Sequence, residues 1–268
     1  MKRVGLGAER LALAAVGGAL ALVLALPLLA LAVTTTGVSL GAALSHPLVW
    51  PALRLSLLTT LVSLLVVVVL GTPLAWTLAR SRTRVARAVE TLVELPIVVP
   101  PAVAGVALLL AFGRQGLFSG VLYPEGTSLA FTTGAVVLAE VFVSAPLFLQ
   151  AANSAFRRVD GRLLVVAQTL GASPLRVFLR VALPLAAPGL VAGAALSWAR
   201  ALGEFGATLM FAGNLRGVTQ TLPIAVYTAL EADLGVAQAL SVLLVVVALA
   251  LLLVARAALA RAAQPGAS

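Results

Sequence analysis

The sequence predicts an all-α integral membrane protein of about six transmembrane helices, and two observations carry that class. Of its 268 residues, 62% are hydrophobic and only 10% charged, against about 25% charged in ordinary soluble domains. A soluble chain of this length needs more polar side chains to cover its surface. The apolar residues are also gathered into long runs, and a bilayer core about 30 Å thick needs roughly 20 of them per helical crossing. The runs are continuous rather than alternating and far longer than the ~10 residues of a barrel strand. Inside lipid, a helix pairs its own backbone groups.

Six runs stand out: Leu11–Val33, Ser56–Leu78, Leu92–Phe112, Phe131–Ala152, Leu185–Leu202 and Val236–Val254. The first follows a basic start, as a cleavable signal peptide would. Its 23 apolar residues exceed the ~7–15 of such a region, so a retained span is expected. In the third run, Pro96, Pro100 and Pro101 remove donors and clash with the preceding turn, which predicts a bent helix lining a cavity. In the fifth, Gly189, Gly193 and Ser197 recur every four residues. That small-residue stripe suits close helix packing, either within the chain or at a dimer seam.

Basic residues set the orientation. Lys2, Arg3 and Arg10, then Arg80, Arg82, Arg84 and Arg87, then Arg157, Arg158, Arg162, Arg176 and Arg180, and finally Arg256 and Arg261 fall on one side, fourteen in all. Arg54, Arg114 and Arg216 fall on the other, and Arg200 lies in or beside a span. The positive-inside rule then places both termini in the cytoplasm of a multi-pass cell (inner) membrane protein. It also accounts for the net charge of +9 without nucleic acid, since no soluble basic domain is present to bind one. The organisation expected is an N-terminal helix and external loop over 1–53, a core over 54–256 with a cytoplasmic elbow at 154–184, and a tail over 257–268.

Several chemistries lack their residues. There is no cysteine, so disulfides, thiolate metal sites and cysteine nucleophiles are excluded. His46 stands alone beside Pro47 with no second ligand nearby, so no metal site is expected. The one lysine is Lys2, and a phosphate-cradling Gly-x4-Gly-Lys-Ser/Thr loop requires one elsewhere. If transport uses ATP, a separate subunit binds it.

The external gap near Gly113–Ala130 carries Gly116, Gly120, Pro124 and Gly126 and reads as loop or a short surface helix. The cytoplasmic gap is richer. Asp160 can cap a helix from Gly161, with Leu163, Leu164, Ala167 and Leu170 at helical spacing. Gly171 can end it in the left-handed conformation. Ser173 and Pro174 open a second helix carrying Leu175, Phe178, Leu179 and Ala182, until Pro184 interrupts the pattern. Two short helices meeting at Gly171 are predicted. Such an elbow can lie on lipid, its arginines facing phosphates, or insert into a groove of a cytoplasmic partner.

The stretch Val165-Val166-Ala167-Gln168-Thr169-Leu170-Gly171, followed by Val181-Ala182-Leu183-Pro184, resembles the permease signature of binding-protein-dependent ATP-binding-cassette importers: Glu-Ala-Ala, three residues, Gly, nine residues, Ile, one residue, Leu-Pro. Ala167, Gly171, Leu183 and Pro184 match. Val165 stands where the signature is acidic, so a salt bridge from that position is absent or moved. Glu94-Leu-Pro-Ile-Val-Val-Pro-Pro101 is similar to the family's kinked segment. The stretch Ala199-Arg-Ala-Leu-Gly-Glu-Phe-Gly-Ala-Thr-Leu-Met-Phe-Ala-Gly-Asn214, with Thr219-Gln-Thr-Leu-Pro223, resembles the oxyanion branch. The first eight residues are shared with sulfate/thiosulfate permeases, and the continuation tilts toward molybdate/tungstate.

The resemblance implies a type I ABC importer permease fold with cytoplasmic coupling helices. It implies a homodimer with two ATP-binding cassette ATPase subunits and an extracytoplasmic oxyanion-binding protein. ATP and magnesium would sit on the ATPase, with no cofactor on this chain and no covalent chemistry catalysed by it. Coupling would fall to Ala167, Gly171, Leu183 and Pro184. The translocation pathway or gate is expected at Arg200, Gly203, Glu204 and Gly206, the other reading of Arg200 and Glu204 being a neutralised pair that stabilises the end of the fifth span. Arg200 and Glu204 are four apart, so on one helix they share a face and can pair.

Ionisable residues within spans are costly and informative. Glu94 lies near an inner end and reads as a snorkelling or arginine-paired residue. Glu140 is more central and reads as a buried helix contact. A reading from another class, an ion-coupled secondary transporter, would use carboxylates such as Glu140 and need no ATPase. A membrane-embedded enzyme would need a nucleophile–base or metal cluster, and the sequence offers none.

Overall fold

The computed structural model describes residues 5–35, 41, 44–122 and 128–262; Lys2, Arg3, Pro124, Gly126 and the tail beyond 262 lie outside them. Every described element is helical. Among the described residues, five helical stretches are long and apolar enough to cross a membrane, and a bent pair makes six when it is counted as one span.

Helix α1 (Gly5–Thr35) is apolar on all sides from Leu11 onward, exposed along almost its whole described face, and rests lightly on the last helix. Helix α2 (Val49–Arg80) and helix α6 (Thr133–Arg158) pack along each other, and α9 (Leu183–Leu202) closes the bundle against α6. Small residues let these backbones approach. A Cβ on Gly71 would lie 2.9 Å from the Phe148 ring, one on Gly189 would lie 2.5 Å from Ala155 Cβ, and one on Gly193 would lie 2.8 Å from Ala151 Cβ. Ser197 is fully buried. The stripe of small residues on the fifth span is therefore consumed by packing within the chain, against α6.

The third span is not the single bent helix expected. Helix α3 (Arg84–Val98) and helix α4 (Pro101–Phe112) are separate and turn by 119° between them. The residue before a proline is biased out of the α region, and here Val99 and Pro100 are both extended, with ψ of 127° and 138°. Two successive prolines also remove two N–H donors. The pair still traverses the bundle. Glu90 of α3 binds Arg157 at the last turn of α6, while Leu109 and Phe112 of α4 pack with Leu129 and Ala130, just ahead of its first turn.

The fifth span also differs. After α7 (Gly161–Thr169), the short α8 (Pro174–Val177) continues without a stop through a widened π turn (Phe178–Ala182) into α9. The whole stretch Pro174–Leu202 is one span of 29 residues. Pro184 has no N–H to give and its ring would strike the carbonyl four residues back. The π turn absorbs this, the Leu183 N–H reaching back five residues to Phe178 O. The second half of the elbow is thus the foot of the span rather than a separate helix.

Beyond the break after Leu202 lie α10 (Gly206–Ala212), α11 (Leu222–Ala232) and α12 (Leu234–Ala262). Helix α5 (Ser119–Leu122) is a short helix in the gap over 113–130. Helices α2 and α12 run through the divisions drawn at 53/54 and 256/257.

Candidate functional site

At the arginine-rich end, the elbow is built as its local chemistry dictates. An Asp160 carboxylate oxygen accepts the Arg162 N–H at 2.9 Å, and the Ser173 hydroxyl oxygen accepts that of Arg176 at 3.4 Å. Gly171 takes φ +84° with nothing near its missing Cβ, the left-handed state that favours glycine. Leu164 and Val177 turn inward, while Leu170 is 82% exposed and Leu175 66% exposed. Ala167 is half-buried, and Leu183 packs partly against the core.

Behind the elbow, Trp76 of α2, Phe156 of α6 and Phe178 of the π turn meet ring to ring, with centroids 5.3 to 6.1 Å apart. The Arg80 guanidinium lies over Trp76 at 4.7 Å and donates to Val159 O at 3.5 Å. This aromatic joint fixes three spans to one elbow, each pair adding about 0.5–1.5 kcal/mol beyond area burial.

Beside the joint, Glu90, Asn153 and Arg157 form a network. Arg157 binds both Glu90 oxygens at 2.9 and 3.1 Å and donates to Asn153 Oδ1 at 3.0 Å; the Asn153 amide also donates to Glu90. The arginine pairing expected at Glu94 therefore falls one turn earlier. Glu94 has no ion pair among the described residues and lines a polar cavity of about 280 Å³ with Gln150 and Ser154. Asn153 and Arg157 are one helical turn apart, a signal the sequence held but did not attach to Glu90.

Toward the other end, Arg200 and Glu204 do pair, at 2.7 Å, with Arg200 one-third exposed and the Glu204 side chain 1% exposed. They do not share one helix. Helix α9 ends at Leu202, and Gly203 and Glu204 lie in the break. The second Glu204 oxygen accepts the Ala207 N–H at 2.8 Å, so one carboxylate both neutralises Arg200 and satisfies an orphan donor of α10. Gly203 has φ −88°, which any residue adopts. Gly206 is needed for space, a Cβ there lying 2.8 Å from Pro101 Cβ. Its counterpart on α4, Gly105, was not singled out from sequence; a Cβ there would lie 2.6 Å from Met210 Cβ and 2.7 Å from Ala207 O. The break in the third span thus packs against the break in the fifth.

A buried polar seam joins these parts. Glu140 accepts from Thr59 at 2.8 Å and Ser63 at 2.7 Å, making it the buried helix contact expected. Trp198 Nε1 donates to Thr60 Oγ1 at 3.1 Å, and the Leu222 N–H to Ser56 Oγ at 2.7 Å. The His46 ring Nδ1 accepts the Leu48 N–H at 3.4 Å. Among the described residues no group of three His, Cys, Asp or Glu could hold a metal.

A lipid-embedded bundle with an apolar elbow exposed at its basic end and two abutting helix breaks toward the other is the membrane subunit of a transporter. The chain belongs to the family of binding-protein-dependent transport system inner membrane components, whose model matches residues 71–267. It is similar to the molybdenum transport system permease protein ModB of Mycobacterium tuberculosis, 47% identical over 224 residues, covering 84% of this chain and 85% of that one. The Escherichia coli K12 protein of the same name is 37% identical over 204 residues, covering 76% and 89%. In fold it resembles a chain of the inward-facing MetNI methionine ABC transporter, with TM-score 0.65 and 20% identity over 80% of this chain and 96% of that one. A chain of a bacterial alginate ABC importer aligns with TM-score 0.66 and 17% identity, covering 82% of each.

Proposed function

We propose that this chain is the translocating permease of an ATP-driven importer for a tetrahedral oxyanion, molybdate with tungstate as its same-shaped alternative. It works as a homodimer with both termini in the cytoplasm. Two ATPase subunits bind ATP and magnesium, and an extracytoplasmic protein delivers the anion. The relatives named for molybdenum favour this cargo over sulfate.

The observation that carries the reading is the elbow. Leu170 and Leu175 stand exposed beside Arg162, Arg176 and Arg180 at the arginine-rich end of the bundle. An apolar tip with a cationic rim suits a groove on a partner, and Ala167, Gly171, Leu183 and Pro184 shape it. Because α8, the π turn and α9 are continuous, a push on the elbow moves a single rod. At the rod's far end stand Arg200, Gly203, Glu204 and Gly206, where the helix is already broken and a change of angle costs few backbone bonds. ATP binding then opens the pathway outward, and hydrolysis resets it. The pathway's own groups neutralise one another, as release demands weak holding of the cargo.

The test is co-purification and uptake. Wild-type chain should retain the ATPase and, in proteoliposomes with binding protein, import molybdate only with ATP inside. Gly171→Pro should abolish ATPase retention while the chain stays folded. Nucleotide-independent uptake by the lone chain would favour an ion-coupled carrier instead, and stimulation by sulfate alone would reassign the cargo.

A further inference from the structure

At the end of the bundle opposite the elbow, a cavity of about 500 Å³ opens between the first turns of α2, the start of α6 and the loop after α10. It is lined by Trp50, Arg54, Leu55, Leu58, Thr133 and Gly217, and no carboxylate lines it. Trp50, Arg54 and Leu58 are spaced by four and form one exposed stripe of α2; Trp50 is 64% and Leu58 50% exposed. Below them, Leu61 and Leu65 continue the same exposed face. The Arg54 side chain makes no hydrogen bond or ion pair with any described residue.

The stripe has the polarity profile of one phospholipid. Tryptophan settles at the headgroup level of a membrane. With a rise of about 1.5 Å per residue, Arg54 sits about 6 Å deeper and Leu58 deeper by the same step. A charged side chain at that depth is costly unless it reaches upward or is paired. Its guanidinium fork matches a phosphate in shape and charge. The leucines below offer an acyl chain a wall that water does not contest.

We infer that the Trp50–Arg54–Leu58 groove is a binding site for a single phospholipid of net negative headgroup, its phosphate on Arg54 and an acyl chain along Leu55 and Leu58. A zwitterionic lipid carries its own cation and fits less well. The site lies in the outer leaflet if the termini are cytoplasmic, so the leaflet, though not the lipid, depends on that orientation.

The experiment uses full-length chain, delipidated in neutral detergent, with native mass spectrometry and thermal unfolding as readouts. Phosphatidylglycerol should be retained at one per chain and raise the unfolding midpoint, and chain-matched phosphatidylcholine should do so far less. Arg54→Gln should weaken phosphatidylglycerol retention roughly fivefold, the effect of one basic residue at a membrane surface, and Trp50→Ala should weaken it too. Arg84→Gln, at the arginine-rich end of the bundle, should leave it unchanged. Equal retention of both lipids, or retention indifferent to Arg54→Gln, overturns the assignment. Protection by inorganic phosphate alone would make this a free-anion site, and a change of oligomeric state with Arg54→Gln would make it a seam between copies; either outcome also overturns it. No transport is measured, so the result stands apart from the cargo.

Discussion

Substituting Gly189 tests how the fifth span is held. An alanine there would place its Cβ 2.5 Å from Ala155 Cβ on α6, with the next atoms at 3.6 and 3.8 Å. Carbon atoms pack best at about 3.5–4.0 Å, so a single atom pair is too close by roughly 1 Å. Overpacking of this kind costs about 1–3 kcal/mol. Replacing glycine inside a helix returns up to about 1 kcal/mol, which leaves a net loss of roughly 0–2 kcal/mol. Ala155→Gly alone should cost about 1 kcal/mol through the same propensity. In the swap Gly189→Ala with Ala155→Gly, the propensity terms cancel and the clash is gone. The double variant should sit within about 0.5 kcal/mol of wild type, giving a favourable coupling of about 1–3 kcal/mol. Denaturing-detergent titration of the purified chain, followed by circular dichroism, reads these differences, and Gly17→Ala, inside α1 with nothing near its Cβ, serves as a control that shows the propensity gain of up to about 1 kcal/mol without a clash. If the swap is as unstable as the sum of its singles, the α6–α9 contact is not what this stripe makes, and a seam between copies regains its place.

Other expectations follow from the same geometry. Gly105→Val drives side-chain atoms into the Ala207 backbone, so it should impair both folding yield and uptake, whereas Gly203→Ala, whose Cβ meets only Ala199 O at 3.8 Å, should be tolerated in expression and uptake assays. Ser56→Ala strands the buried Leu222 N–H and should cost about 1–3 kcal/mol in the same titration. Arg200→Gln leaves the Glu204 carboxylate buried with only the Ala207 N–H as partner; breaking a buried pair costs about 3–5 kcal/mol, less here because Arg200 is partly exposed, and adding Glu204→Gln should recover part of the loss. Gly171→Ala forces a left-handed alanine, about 1–2 kcal/mol, and should weaken ATPase retention more than Gly171→Asn, because asparagine tolerates that conformation.

Local chemistry alone determined much of this protein. The apolar runs set the spans because lipid demands about 20 such residues per helix, and the arginines sort to the two ends because charge crosses a membrane poorly. Asp160, Gly171, Ser173 and Pro174 describe the elbow because caps and left-handed turns depend on neighbours a few residues away. What the sequence left open was how far local breaks would go and which distant groups would meet. Three prolines announce a bend, but the 119° turn needed α6 and α10 to receive both halves. Pro184 announces an end, yet packing on α6 carried the helix through it by a π turn. Glu90 with Arg157, Glu140 with Thr59 and Ser63, Ser56 with Leu222, and Gly105 with Ala207 are separated by 67, 81, 77, 166 and roughly a hundred residues. Such pairs arise only when helices are set side by side: a periodic stripe such as Gly189, Gly193 and Ser197 marks a face that packs closely, but which distant residues it meets depends on shape that neither segment carries alone.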